Sequence, residues 1–467
     1  MQQLRTSELL VTLPDDGSGP LHGRLEQELR TAIRSGRLAA DTAMPSTRAL
    51  AAQLGVSRGV VVEAYEQLVA EGYLTGHERS ATRVACKAVP PRPARDEEPS
   101  APLLEFDFRP GRPDVSQFPR GAWLRSLRRA LGDAGNEQLG YPDRRGMPEL
   151  REALATYLNR VRGAAADSGQ VVISNGFSQG LALVCEVLRA DGARRVAVEN
   201  PSHAGSRQAI IAAGLEAVGI PVDEDGLRVD ALEQARVDAV LVTPAHQYPT
   251  GGVLPPERRA ELVAWATRRN PLIIEDDYDA EYRYDREPIG CIQGLAPDRV
   301  VYGGSASKTL APGLRIGWLI VPAAMADRVA AVKERTDNGT ATLDQLAFAD
   351  FLTRGEHDRH LRRMRPIYRQ RRDALLAALA RHLPALRPAG TAAGLHLLAW
   401  LPKGTDEEAF AARAAERGVG VYTLASYRLA GPVDAGIIFG YSGLSETAIE
   451  TGIRRMAEGE GHLRAAS

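Results

Sequence analysis

At 467 residues, 44% of them hydrophobic and 25% charged, with a formal net charge of -1, the chain is long enough for two or three domains, which excludes a disordered polyelectrolyte. The balanced charge gives no global basic footprint, and Cys86, Cys185 and Cys291 are too scattered for a disulfide framework or a metal site. No stretch reaches the apolar length that spans a bilayer, so a cytoplasmic protein without membrane partner or bound metal is expected.

From Pro20 to about Ala85 the pattern is helical and then breaks into a short polar hairpin. Leu21, Leu25, Leu29 and Ile33 fall four apart and mark one helix face. In the run 44–74, MPSTRALAAQLGVSRGVVVEAYEQLVAEGYL, Ser46 caps a helix ending near Leu54, Gly55 permits a tight turn and Ser57 caps a second helix. Val56, Val60, Val61, Ala64, Tyr65 and Leu68 supply the core, which leaves Arg58 and Gly59 at the N-terminal end of the second helix, where a recognition helix meets base edges. Arg48 opens the preceding helix and suits a phosphate. A plain three-helix packing module has the same outline.

This string resembles the winged helix-turn-helix of GntR-family regulators, whose pattern includes LPSxRxLAxxLGVSRxTVxxAYxxLxxEGYL. The resemblance implies a reader of double-stranded operator DNA over residues 15–86, with Arg48, Ser57, Arg58, Gly59, Arg79 and Arg83 on its contact face. Basic and acidic side chains balance within residues 1–89, so affinity rests on local placement of those arginines. The wing HERSATRVA departs from the family by lacking its glycine-rich tip.

Residues 87–104 continue as a Pro-rich charged linker, poor in large apolar side chains. Beyond it, apolar runs alternate with amphipathic helices: VVIS (171–174), VAVEN (196–200), AVLVTP (239–244), LIIED (272–276), VVYGG (300–304) and IGWLIVP (316–322). Such alternation predicts a doubly wound, mostly parallel α/β sheet. The last part is rich in Ala and Arg helices with a few strands such as LHLLAWLP, which predicts a smaller α+β lobe.

Three strings carry the chemistry. In GGSASKTLAPGLRIGW (303–318), Lys308 follows Ser305 and Ser307 and precedes a Pro-Gly turn and Arg315, an amine and a guanidinium as a Schiff-base pocket for pyridoxal phosphate (PLP) requires. In ISNGFSQGL (173–181), the amides of Phe177 and Ser178 at a helix start hold a phosphate, or serve as an ordinary cap. In LIIEDDYDAEY (272–282), a strand delivers Asp276 at its C-terminal end, with Tyr278 on the same side of the extended chain. An isolated acidic strand end is otherwise simply solvated.

From Asp107 onward, DFRPGRPDVSQFP, YPDRRGMPELREALATYLNRVRG and QVVISNGFSQGLALVCEVL precede those strings in the order of fold-type I aminotransferases as fused in MocR-type regulators, which the chain resembles to its end. The resemblance implies a PLP-dependent transferase fold over residues 105–467, with a large lobe at about 141–320 and a small lobe at about 105–140 and 321–467. It implies a Schiff base on Lys308, Asp276 on the pyridine nitrogen, Tyr278 on the ring hydroxyl, and Ser178, Ser305 and Arg315, with Ser307 and Phe177 beside them, around the phosphate. Tyr141 matches a tyrosine that reaches a neighbouring subunit's phosphate, so a homodimer is expected.

The departures are informative. Where aminotransferases carry Asn before ProThrGly, TPAHQYPTGGVLP has Tyr248, so His246 or Gln247 is expected to serve the ring hydroxyl. His203 replaces the ring-stacking Tyr in ENPSH, or is a satisfied loop histidine. Ile438 stands where transaminases clamp the substrate carboxylate with Arg, which leaves Arg428 as substitute or as a surface arginine. The expected function is a PLP-dependent transcriptional regulator that senses an amino compound, or PLP itself, through aldimine chemistry at Lys308. A working aminotransferase with an accessory reader, or a purely structural dimeriser without PLP, are the rivals.

Overall fold

Three helices and a hairpin make up the first unit of the computed structural model, which divides at residues 1–101 and 102–467. The described residues are 13, 19–76, 81–85, 104–284, 289–390, 392–429, 431 and 434–459. Helix α1 (Leu21–Arg34) turns Leu25, Leu29 and Ile33 inward. Leu21, expected on that face, lies at the first position, past the end of the core, and is 44% exposed. Helix α2 (Thr47–Leu54) is capped by Ser46, whose Oγ accepts from Ala49 N at 3.2 Å, and stops at Gly55 in the left-handed region, φ 65°. Helix α3 (Arg58–Ala70) is capped in the same way by Ser57, which accepts from Val60 N. Each cap contributes about 1 kcal/mol. Val61, Ala64, Tyr65 and Leu68 bury against α1, and Tyr65 Oη donates to Pro45 O at 3.0 Å. The short antiparallel hairpin of β1 (Leu74–Thr75) and β2 (Arg83–Val84) closes this core with Leu74 opposite Val84.

In the second unit the strands are β3 (Phe106–Asp107), β4 (Val171–Ser174), β5 (Arg195–Asn200), β6 (Glu216–Asp223), β7 (Gly226–Leu227), β8 (Ala239–Val242), β9 (Leu272–Asp277), β10 (Val300–Ser305), β11 (Gly317–Ile320), β12 (Arg387–Ala389), β13 (His396–Trp400), β14 (Val419–Gly420), β15 (Tyr422–Thr423) and β16 (Gly436–Gly440). One sheet runs β4-β11-β10-β9-β8-β5-β6-β7, parallel from β10 through β6. The exceptions are β7, antiparallel to β6, and β11, antiparallel to both neighbours because the short connection from β10 cannot make a parallel crossover. Helices cover both faces, so the central strands are apolar at consecutive positions. Val198, Leu241, Ile274 and Val301 face one layer, and Ala197, Val240, Ile273 and Val300 the other.

Helix α4 (Arg120–Asp133), α5 (Pro148–Arg162) and the helix Thr342–Thr353 share a further core with the sheet, through Trp123, Leu150, Phe348, Ile173 and Trp318. The remaining strands form a four-stranded antiparallel sheet, β12-β13-β16-β15, and the pair β14-β3. Leu397, Phe439 and Val419 pack there against the helices Glu356–His382 and Glu446–Ala457. Among the described residues no helix is long and apolar enough to cross a membrane.

Candidate functional site

The ends of β5, β8, β9 and β10 meet at one pocket, at the carboxyl edge where open α/β sheets bind ligands. β10 brings Ser305 to that edge, and the chain turns at once into the one-turn helix Ala306–Thr309, which holds Lys308 in the pocket wall. Ala306 N donates to Ile316 O and Leu310 N to Ala306 O, both at 2.9 Å, so the turn is fixed by its own backbone.

Arg315 follows in the left-handed region at φ 53° and donates from Nη2 to the Asn175 carbonyl in the turn after β4. That turn leads through Gly176, φ 85°, into helix α6 (Phe177–Ala190). A Cβ at Gly176 would lie 2.8 Å from Arg315 Nη2, so only glycine lets the guanidinium lie this close to the start of α6. The first-turn amides of α6 have no helical acceptor, and with Ser178, Ser305, Ser307 and Arg315 they form a set of donors suited to an anion.

Asp276, on β9, enters the pocket from the next strand. Its Oδ1 is shielded from solvent without a hydrogen-bond partner, and burial, with Asp277 adding, pushes the carboxyl well above its ordinary range against the pull of Lys308. An orphaned carboxylate oxygen is costly unless a cationic donor meets it, as a protonated ring nitrogen does. Burial lowers Lys308 below the usual lysine value, against Asp276 and Asp279, which enlarges its nucleophilic neutral fraction. Its Nζ donates to the Gly111 carbonyl at 2.6 Å.

Phe177, Ser178, His203, Asp276, Tyr278, Ser305, Ser307, Lys308 and Arg315 thus line one pocket, although the chain separates them by up to 138 positions. His203 caps the helix Ala204–Ala212 through Nδ1, which accepts from Ser206 N at 3.2 Å. Burial, then Lys308, lowers its pKa, so the ring is neutral. Sequence reasoning missed Glu199, Thr243 and Gly111 in the lining, and gave Tyr248 no place there. Glu199 is held by Thr243 and Gln247 and pushed up to about 7 by burial. The ENP and HQYPTG strings were its only sequence signal.

Three expectations change. His246 lies behind Tyr278 rather than in the pocket lining, because its Nδ1 is engaged by Asp279 and by Tyr278 Oη. Gln247 is turned away as well, donating to Glu199 and to the Pro201 and Tyr248 carbonyls. Arg428 is not a free clamp: it pairs with Glu407 at 3.0 Å and donates to Asp434 O. Tyr141, expected at a neighbouring subunit's phosphate, is 92% exposed and is not in the lining of this pocket. Ile438 is fully buried in β16, so no carboxylate clamp stands at that position.

In the first unit, Arg48, Ser57, Arg58 and Gly59 are exposed at the starts of α2 and α3. Arg58 Nε lies 3.4 Å from Thr47 Oγ1, which ties the two helix starts together. A Cβ at Gly59 would meet nothing nearer than Ser57 Oγ at 3.8 Å, so its missing side chain leaves open surface at the start of α3. Arg83 is exposed but donates to Asp41 O at 2.7 Å, and Arg79 lies outside the described residues.

Comparison with known proteins places both halves. Residues 115–435 match the family of aminotransferases class I and II, and residues 21–84 match the bacterial regulatory proteins of the gntR family. A probable rhizopine catabolism regulatory protein, MocR, of Rhizobium meliloti is 33% identical over 96% of this chain and 95% of its own. The HTH-type pyridoxine biosynthesis transcriptional regulator PdxR of Corynebacterium glutamicum is 34% identical over 91% of this chain and 93% of its own. Among solved structures, kynurenine aminotransferase of Pyrococcus horikoshii covers 76% of this chain and 91% of its own, with TM-score 0.71 and 27% identity.

Proposed function

The chain belongs to the GntR-type transcriptional regulators that carry an aminotransferase class I and II domain, and on that premise we propose that it is a DNA-binding regulator that senses a small amino compound, or PLP itself, at Lys308. The observation that carries this reading is the depressed Lys308 amine facing the orphaned Asp276 oxygen in one pocket. PLP is the cofactor of this enzyme fold, and the residues present fit it. Phe177, Ser178, Ser305, Ser307 and Arg315 would hold the phosphate, Asp276 the ring nitrogen, Tyr278 the ring hydroxyl and His203 a ring face. When bound, the cofactor supplies an aldehyde carbon at which one amine replaces another.

As a free amine Lys308 donates to the Gly111 carbonyl, and bonding its nitrogen to the cofactor would change the hydrogens it can offer there. Gly111 belongs to the segment that follows the linker 87–104, which joins the reader, residues 15–86, to the pocket-bearing residues 105–467. The hydrogen bond at Gly111 therefore gives the state of Lys308 a route to the chain leading toward the reader. A ligand shifts such an equilibrium only by its differential affinity for the two states. Tyr141, out in solvent, belongs to the pocket of a second copy in a homodimer.

The buried Ile438 and the paired Arg428 favour sensing over turnover of α-amino acids. The test is operator affinity of the PLP-loaded full chain, by fluorescence anisotropy, with and without a panel of primary amines. At least one amine is expected to change Kd by about fivefold or more. Steady keto-acid formation with unchanged Kd would replace this reading by the enzymatic one.

A further inference from the structure

Tyr278 lines the pocket, yet its hydroxyl also reaches away from it: Oη lies 3.0 Å from His246 Nδ1. The same nitrogen lies 3.0 and 3.2 Å from the two oxygens of Asp279. His246 and Asp279 are 2% and 1% exposed, so no solvent competes for these contacts. A Cβ at Gly394 would overlap both side chains, and the bare backbone there seals the pair.

One nitrogen with these two partners sets the direction of the hydrogen bonds. A carboxylate only accepts, so Nδ1 carries a proton and donates toward Asp279 and the tyrosine oxygen. Tyr278 then accepts from His246 and keeps its own hydrogen for the pocket. With the proton on Nε2 instead, Nδ1 would take the tyrosine's hydrogen and turn it away from the pocket.

The remaining groups around His246 do not disturb this. His396, on β13, lies with its ring 5.0 Å from His246, and its Nε2 is 3.2 Å from the Pro249 carbonyl, which only accepts. Burial, then His246, holds His396 well below the ordinary histidine value, so it is neutral. Tyr248 packs edge-on to Tyr278 with ring centroids 5.7 Å apart, and its hydroxyl lies 3.2 Å from Tyr427 Oη.

We infer that Asp279 and His246 are positioning residues for Tyr278: Asp279 selects the Nδ1-protonated form of His246, and His246 orients the tyrosine hydroxyl to donate into the pocket. The inference rests on the reading of this pocket as a PLP site. It also accounts for the exchange of the aminotransferase Asn for Tyr248, because His246 supports the ring-hydroxyl contact through Tyr278 instead of making it directly. His246, Asp279 and His396 also stand within 4.8 Å of one another, a spacing open to a cation, although hydrogen bonds already satisfy His246 Nδ1 and Asp279.

The test uses the PLP-loaded full chain. Its visible absorbance, followed across about pH 5 to 10, gives the midpoint at which the cofactor-bound Lys308 nitrogen loses its proton. A donor on the ring oxygen stabilises that oxygen's anion and so weakens its hold on this proton; loss of the donor raises the midpoint. His246→Ala and Asp279→Asn are each expected to raise it by roughly one pH unit, the scale of one hydrogen bond. Tyr278→Phe is expected to raise it at least as far, with no further rise on adding His246→Ala. Asp279→Glu, which keeps the acceptor, is expected to move the midpoint back toward that of the parent chain. Coloured His246→Ala and Asp279→Asn proteins with the parent midpoint, beside a shifted Tyr278→Phe, would overturn the inference and leave the pocket reading intact. A parent chain that takes up no cofactor overturns both. A parent midpoint that moves on dialysis against a chelator would assign the cluster to a cation and overturn the inference.

Discussion

Lys308, Asp276 and Arg58 are the side chains on which the account turns, and each is tested singly. Asp276→Asn removes the charge that meets a protonated ring nitrogen and keeps the shape of the side chain. It is expected to weaken cofactor retention at least about tenfold by equilibrium dialysis, the cost of roughly 1.4 kcal/mol of a charge-assisted hydrogen bond; unchanged retention would remove Asp276 from the site. Arg58→Ala is expected to weaken operator binding by about 1–3 kcal/mol if Arg58 reads a base, measured by gel shift at fixed salt. His357 gives a pH test. It is packed among Tyr157, Phe348 and Phe351, and burial, with His360 adding, pulls it down from 6.5 to about 3. Between those values the unfolded chain binds a proton that the folded chain refuses, so this contribution to stability is whole above 6.5 and is lost as pH falls toward 3. His357→Phe should flatten the decline of Tm with acid over that window; a decline as steep as the parent's would contradict this. The pocket residues were legible because each sits in a short string with its own chemistry. The roles of His246 and Asp279 were not, since they meet 33 positions apart and their partnership depends on tertiary contact.

At the scale of elements, alternation along β9 sorts three successive acids into three environments. Glu275 accepts from the Ile292 and Gln293 amides, Asp276 faces the pocket, and Asp277 is buried against Arg162 at 2.7 Å and Tyr302 Oη at 2.7 Å. Arg162→Met would leave Asp277 buried without its cation, and about 3–5 kcal/mol of stability should be lost in urea unfolding. A loss under about 1 kcal/mol would mean that Tyr302 and solvent relax to replace it. On β10, a Cβ at Gly304 would lie 2.6 Å from the Trp318 ring nitrogen, and one at Gly303 would run into the Phe177 ring. The two glycines let β10 approach β11 and the start of α6 closely enough to build the anion cradle. The central strands were legible because burial on both faces writes them as continuous apolar runs. β6 was not, since the exposed Glu216 and Pro221 interrupt its pattern. Nor was the short strand pair β14-β3, which joins segments more than 300 positions apart. The antiparallel direction of β11 also lay beyond the pattern, which carries no direction.

At the scale of the whole molecule, the chain joins a gntR-family unit, in which Ser57 caps α3, to an aminotransferase-like unit whose pocket is lined by Lys308. The order of strings along the sequence made this plan legible. The central claim is that the Lys308 nitrogen is the atom that bonds the cofactor. Borohydride reduction of the PLP-loaded protein, followed by peptide mass mapping, tests it most directly. The account predicts a single reduced cofactor adduct on the peptide containing Lys308, absent from Lys308→Ala. An adduct on another lysine, or a protein that carries none, would contradict it.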